Sequence, residues 1–424
     1  MRLLKVLRLT SLVVLAAAGC TDVPTDVVGE AGEPSSVTIT ATSALGEKLY
    51  RDRRFSVGFN QSCATCHEPA QGFAAPSLTA VTLGSVVEGS VPGRFGDRKP
   101  PTAAYATIAP LFSGGNNPVG GNFWDGRATG DVLGNPAADQ AMGPFLNPKE
   151  QALPDMACVA FRVSTSAYVS EFTAVWGDEV LGIQFPRGTN ALCRTPHDAV
   201  GEYIVLTPEE RESARNVYVD VARSIAAFEA TLNRYSSRVD TGRLNATQLE
   251  GQKLFTGKAK CQQCHTAGAG AAFTDFAYHN LGVPKNPENP VYNYTSGLAD
   301  PGLGGFTGNA AHMGKFKTPT VRNAGVGNNR TYMHNGVLTS LKQVVDFYNT
   351  RDVLPVCTPA QIAALHPSEY GSFDPDGTGP LTAAGCWPPA ETPENLDTKQ
   401  MGALGLTEAQ VDAIVAFMQA LRDR

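Results

Sequence analysis

Two pentapeptides hold the residues of this chain best spaced for chemistry: Cys63-Ala64-Thr65-Cys66-His67 and Cys261-Gln262-Gln263-Cys264-His265. Thiols two residues apart can each add to a vinyl group of a haem, and the imidazole that follows then binds the iron from one face. With nine Cys and seven His in 424 residues, chance supplies about 0.003 such pentapeptides per chain. Two of them exclude coincidence. A redox dithiol needs no following His, and a zinc site would have to join pairs about 200 residues apart. Cys63, Cys66, Cys261 and Cys264 are therefore read as covalent haem attachments, with His67 and His265 as axial ligands of the two irons.

What the haems do depends on the opposite face of each iron. The other five His are 197, 279, 312, 334 and 366, and none lies between His67 and His197. That stretch offers only Met142 and Met156 as soft neutral donors. A vacant position on the first iron is expected. Vacancy suits an enzyme, whereas an electron carrier closes both faces.

The elements that must position these residues read as helices with few strands. Thr207-Pro208-Glu209-Glu210 is a capping box with Pro at the first helical position, followed by Tyr218, Val221, Ile225, Phe228 and Leu232 on one face. Thr407-Glu408-Ala409-Gln410 is a second box, followed by Val411, Ile414, Val415, Met418 and Leu421. Gly46-Glu47-Lys48-Leu49-Tyr50 precedes the first haem motif, and Gly251-Gln252-Lys253-Leu254-Phe255 precedes the second. This internal repeat predicts a mainly α fold of two cytochrome c-like haem domains, 41–238 and 239–424. Long Gly/Pro/Asn-rich segments at 84–122, 282–311 and 351–402 are expected to wrap the cofactors.

Arg2, Lys5 and Arg8 precede an apolar run from Leu9 to Ala18 that ends in Gly19-Cys20. This is an export signal over residues 1–20, too short to span a membrane as a helix. Small residues before Cys20 suggest lipidation of that Cys, although Ala17 stands where such signals usually have Leu, and plain cleavage nearby is the alternative. Thr21 after Cys20 favours the outer membrane, facing the periplasm, with residues 21–40 as a tether; a soluble periplasmic protein is the other reading. Loss of the signal takes the net charge from −6 to −9, which disfavours nucleic acid and suits a basic electron donor. The remaining Cys158, Cys193, Cys357 and Cys386 fit two disulfides in an exported protein, 158–193 with 357–386 favoured, with a zinc site as the weaker alternative.

Several further motifs occur in one order: LGEKLYRDRRFS before CATCH, FWDGR at 123–127, QAMGPFLNPKE at 140–150, EGQKLF before CQQCH, FKTPTVRN at 316–323, YMHNG at 332–336 and SLKQVVDFYN at 340–349. Together they resemble the bacterial diheme cytochrome c peroxidase superfamily over residues 43–424. In ligand pattern they are most similar to the branch that oxidises tryptophans of a partner protein in methylamine utilisation. The resemblance implies that Glu150 is the acid over the open face of the first haem, that Gln140 orients peroxide, and that Pro144 shapes the pocket. It implies that Trp124 lies between the haems and that Tyr348 is the distal ligand of the second, with Met333 as competitor. Arg127 and Arg322 are candidates to pair with haem propionates, or else form solvent-facing salt bridges. The sequence departs from the pattern at Gln151, where relatives often carry Met, and in a longer spacing from Trp124 to Gln140. It also has no second His to block the first iron, so that haem is expected five-coordinate. Calcium, the family's usual third inorganic element, is disfavoured: its Asn ligand should fall near Tyr105, where there is none, leaving only carbonyls around Asn329 and Thr331.

The resemblance implies a periplasm-facing enzyme that reduces hydrogen peroxide, with electrons from a small cytochrome c or a cupredoxin. The alternatives are an oxidase of Trp or Tyr side chains on a partner protein, and a diheme electron-transfer cytochrome without catalysis.

Overall fold

The computed structural model describes residues 39–76, 82–83, 86–294, 297–327, 331–364 and 385–424. The signal, Cys20, the tether up to residue 38, Asn329 and His366 lie outside the described residues. Both capping boxes start helices as their sequences dictate. Thr207 and Glu210 cap Pro208–Ala230, and Thr407 and Gln410 cap Glu408–Gln419. The glycine-centred repeats lie in helices Ala41–Arg51 and Ala246–Thr256, whose caps are Thr40 with Ser43 and Asn245 with Gln248.

Each repeat glycine marks a place where two helix backbones touch. A Cβ on Gly46 would stand 1.9 Å from the Ser224 carbonyl oxygen, and one on Gly251 would stand 1.9 Å from that of Ala413. Any larger residue would push the helices apart. The close approach brings equivalent aromatic triads together. Tyr50 meets Phe228 at 5.0 Å between ring centroids, with Phe73 against both. Phe255 meets Phe417 at 5.2 Å, with Phe273 against both. Tilted and edge-on geometries of this kind add about 0.5–1.5 kcal/mol per pair beyond area burial. Two apolar cores grow around the triads, one from Leu45 to Leu232 and one from Val239 to Leu421.

Among the described residues sheet is limited to two antiparallel two-stranded ribbons. Thr82–Leu83 pairs with Val86–Val87, and Tyr278–His279 pairs with Phe316–Lys317 in the register Tyr278 opposite Lys317. The four remaining cysteines form the disulfides Cys158–Cys193 and Cys357–Cys386, which removes the zinc alternative.

Arg322 does not form the solvent-facing salt bridge that is one of its two readings. Its side chain is fully buried, with NH1 and NH2 donating to Asp240 at 2.8 and 2.7 Å and Nε to the Ala271 carbonyl at 2.6 Å. Asp423 lies 3.7 Å from NH1, and the guanidinium rests on Tyr105 and Tyr235 from the first core and on Phe273 from the second. It is not solvent-facing; it is a rivet where the cores meet, and it also lines the second cavity. Removing one partner of a buried ion pair leaves the other charge uncompensated, so Arg322→Met should destabilise the protein by about 3–5 kcal/mol. Arg322→Lys should not recover the loss, because a single ammonium cannot fork onto Asp240. Denaturant unfolding of the three proteins checks this.

Candidate active site

Cys63 and Cys66 occupy one helical turn, Cys63–Cys66, in which Ser62 and Thr65 form a capping box and the His67 N–H donates to the Cys63 carbonyl. The His67 ring follows directly, with Nδ1 2.8 Å from the Pro101 carbonyl oxygen. His265 repeats the arrangement, Nδ1 lying 3.1 Å from the Phe273 carbonyl. A carbonyl can only accept, so Nδ1 carries the proton in each ring and Nε2 keeps its lone pair for a metal. Desolvation by burial pushes both imidazoles below the usual His range. Cys63, Cys66, Cys261 and Cys264 are all unpaired and half-buried. Each trio lines its own cavity, the first about 860 Å³ and the second narrower. Thiol pair, proton-fixed imidazole and adjoining cavity fit a covalent haem at both places.

Two matching loops frame the cavities. Asn122 bridges Ala128 and Tyr332 bridges Leu338, with Phe123 and Met333 both at positive φ. The loops lead into helices Pro136–Leu146 and Leu341–Thr350, tied back by like contacts. Asp139 accepts from the Gly130 N–H at 2.8 Å, and Gln343 accepts from the Thr339 N–H at 2.8 Å. Pro144 and Tyr348 each stand five residues beyond that tie. Pro144 lines the first cavity with Gln140, and Tyr348 lines the second.

Glu150 follows in a tight turn. The Glu150 N–H donates to the Asn147 carbonyl, the Gln151 N–H to Pro144, and the Glu150 carbonyl accepts from Ser90. The carboxyl lines the first cavity beside Asn147 and Arg127. Burial pushes it up to about 7, with Asp97 adding and Arg127 and Asn147 opposing. At neutral pH it is thus poised both to give and to take a proton. Of the described residues lining this cavity, His67 is the one imidazole and Met313 the one thioether.

Trp124 lines both cavities, as do Lys99, Pro101, Thr102, Lys317 and Thr318. Its indole N–H donates to the Lys99 carbonyl at 2.7 Å. His334, its counterpart in the second loop, meets the indole edge-on at 6.4 Å and stacks on Phe316 at 3.5 Å. The structure therefore brings Cys63, Cys66, His67, Trp124, Gln140, Pro144, Glu150 and Arg127 to one cavity. Arg127 also pairs with Asp125 and covers Phe123.

In the second cavity Tyr348 is half-buried, and desolvation, then the nearby Cys264 and Cys261, hold its phenol far above the ordinary range. Among the described residues its hydroxyl makes no hydrogen bond. Met333, Met401 and Met418 also line this cavity. His279 is clamped between Asp275 at 3.5 Å and Asp397 at 3.3 Å, which raises it to about 11 and keeps it charged. The Cys264 sulfur completes that cluster, but as a haem-attachment candidate it is not free for another metal.

Two residues of these cavities escape a reading from motifs. Glu229 is buried, raised to about 8 by desolvation, with one oxygen lacking a partner, and it lines the first cavity. Its signal was its place four residues after Ile225, on the apolar face of its helix. Lys317 had no signal beyond membership of the 316–323 motif. Tyr105, where a calcium-binding Asn was sought, donates its hydroxyl to Asp423 at 2.7 Å.

Residues 40–248 match the family model described as di-haem cytochrome c peroxidase. The methylamine utilization protein MauG of Paracoccus denitrificans is 34% identical over 407 residues, covering 91% of this chain and 89% of that protein. Cytochrome-c peroxidase IdrP2 of Denitromonas iodatirespirans is 28% identical over 326 residues, 72% of each. The diheme peroxidase BthA of Burkholderia thailandensis superposes with a TM-score of 0.65 over 92% of this chain and 87% of that one, at 24% identity, a likeness of fold. No helix among the described residues is long and apolar enough to cross a membrane. The relatives are enzymes by name, so the reading as a mere electron carrier falls. The chain belongs to the di-haem cytochrome c peroxidase and MauG family of peroxidase-type oxidoreductases, which implies two covalently bound c-type haems, peroxide as oxidant and a protein as redox partner or substrate.

Proposed function

We propose that the chain reduces hydrogen peroxide to water in the first cavity, drawing electrons from a small cytochrome c or a cupredoxin. One observation carries this reading: Glu150 shares a cavity with Cys63, Cys66 and His67, and burial brings its carboxyl to about 7. In this reading Cys63, Cys66 and His67 hold the first haem, and Cys261, Cys264, His265 and Tyr348 hold the second. The haems, when bound, would supply the redox chemistry.

The protein's own contribution is proton traffic and position. As a carboxylate, Glu150 takes the proton from one peroxide oxygen, and as an acid it returns that proton to the other, so that water leaves as the O–O bond parts. Gln140 offers an amide to orient peroxide, and Pro144 has no N–H to compete for it. Among the described lining residues His67 is the one imidazole that would hold the first haem. Trp124, common to both cavities, is the conduit between them. The 41–238 and 239–424 division, each part holding one haem, and a periplasm-facing chain on a lipidated Cys20 (or soluble in the periplasm) belong to the same proposal.

A second reading has its own support. Tyr348 turns a phenol with no hydrogen bond to described residues into the second cavity, and a MauG protein is 34% identical over 91% of this chain. On that reading the partner is a protein whose Trp or Tyr side chains are oxidised. Treating the oxidised protein with peroxide and then offering reduced cytochrome c, or separately a protein encoded nearby, separates the two. Rapid cytochrome oxidation is the expected outcome. Oxidation of the neighbour's side chains with little cytochrome turnover would replace the first reading with the second, and no spectral response to peroxide would remove both.

A further inference from the structure

We propose that Lys317 binds a haem propionate at the wall between the two cavities. The assignment rests on the di-haem reading. Lys317 sits in the 316–323 motif, to which the reaction above gives no task. Its backbone is fixed twice, by pairing opposite Tyr278 and by donating its N–H to the Trp124 carbonyl at 2.9 Å. Its ammonium donates to the Gly121 carbonyl and, at 2.8 Å, to the Asn122 side-chain oxygen. Both partners are neutral, and an ammonium has a third N–H to satisfy.

The neighbouring cations are differently placed. Arg98 is shared by Asp300 at 2.7 Å and Asp125 at 2.6 Å, Arg127 is on Asp125, Lys149 is on Asp97, and Arg322 is on Asp240. Lys317 has no carboxylate among the described residues, and desolvation alone pulls it down to about 7. A lone ammonium away from water is unfavourable unless an anion joins it. Both cavities open onto Lys317, and each haem brings two carboxylates. A propionate on Nζ would supply the missing counter-ion and the third acceptor in one charge-assisted bond. This makes Lys317 a cofactor-binding residue beside the candidates Arg127 and Arg322.

The test uses the haem-loaded wild type, K317M and K317R. Covalent haem is counted by pyridine haemochrome, propionate bending bands are read by resonance Raman, and each haem is titrated for its midpoint potential. K317M should shift the propionate band of one haem and lower that haem's potential, because a cation favouring the reduced form is gone. K317R should restore the potential. An unmoved propionate band in K317M overturns the contact even if the potential falls, since distant charge alone would do that. If K317M does not accumulate, K317R against wild type decides. A planar fork bonds a carboxylate differently from an ammonium, so identical bands would overturn the proposal. Fewer than two haems in the wild type would instead overturn the di-haem reading.

Discussion

Glu150→Gln leaves both haems attached and slows the peroxide step by about 10²–10⁴-fold, the usual worth of a positioned acid–base group. Glutamine keeps the shape and a hydrogen bond but cannot carry the proton from one oxygen to the other. The wild-type rate should bend with pH near 7, where burial places the carboxyl, and the bend should vanish in the Gln protein. Stability moves the opposite way. The folded protein holds this proton up to about pH 7, whereas an unfolded chain releases it near 4.5. Stability from this site is therefore intact below pH 4.5, declines as pH rises to 7, and stays low above. Glu150→Gln should be unchanged in stability at pH 4 and gain about 1–3 kcal/mol at pH 8. Stopped-flow mixing with peroxide and denaturant titrations at the two pH values check the pair. Unaltered turnover with Gln would dismiss Glu150 as the acid.

Tyr348→Met is the other large effect. A phenolate favours the oxidised iron and a thioether the reduced one, and axial ligands together span about 0.8 V. The exchange should raise the midpoint of the second haem on the order of a few tenths of a volt and leave the first nearly unmoved. Spectroelectrochemistry reads both. Met333, Met401 and Met418 line the same cavity, so the variant also separates the candidates. If a methionine is already the ligand, Tyr348→Met will alter neither potential nor spectrum. With cytochrome c as donor, the raised potential should speed electron uptake at the second haem.

The helices, their caps and the repeat were legible because each is a local rule written in adjacent residues. Thr207 with Glu210, Thr407 with Gln410, and the two glycines all behave as their spacing dictates. Glu150 was legible as a residue, and its raised pKa was not, since burial, the main cause, and the added push of Asp97 arise only when distant parts of the chain meet. The ion pair of Arg322 was hidden for the same reason. An Arg in a motif announces a cation, but its anion at Asp240 is 82 residues distant, and only folding shows that the fork is occupied. Lys317 is the converse, a cation whose neighbours are neutral. Glu229 could have been flagged as an acid on an apolar face, but not that its face borders a cavity.

Each disulfide is local in the sequence, joining Cys158 to Cys193 and Cys357 to Cys386. Neither ties the cores to each other. Beyond the continuous chain itself, the contacts between them are non-covalent and include the Arg322 rivet, Tyr105 on Asp423, and Lys99 donating to the His334 carbonyl at 2.8 Å. It follows that no disulfide among the described residues fixes how the two cores meet, so the wall around Trp124 is held by non-covalent contacts.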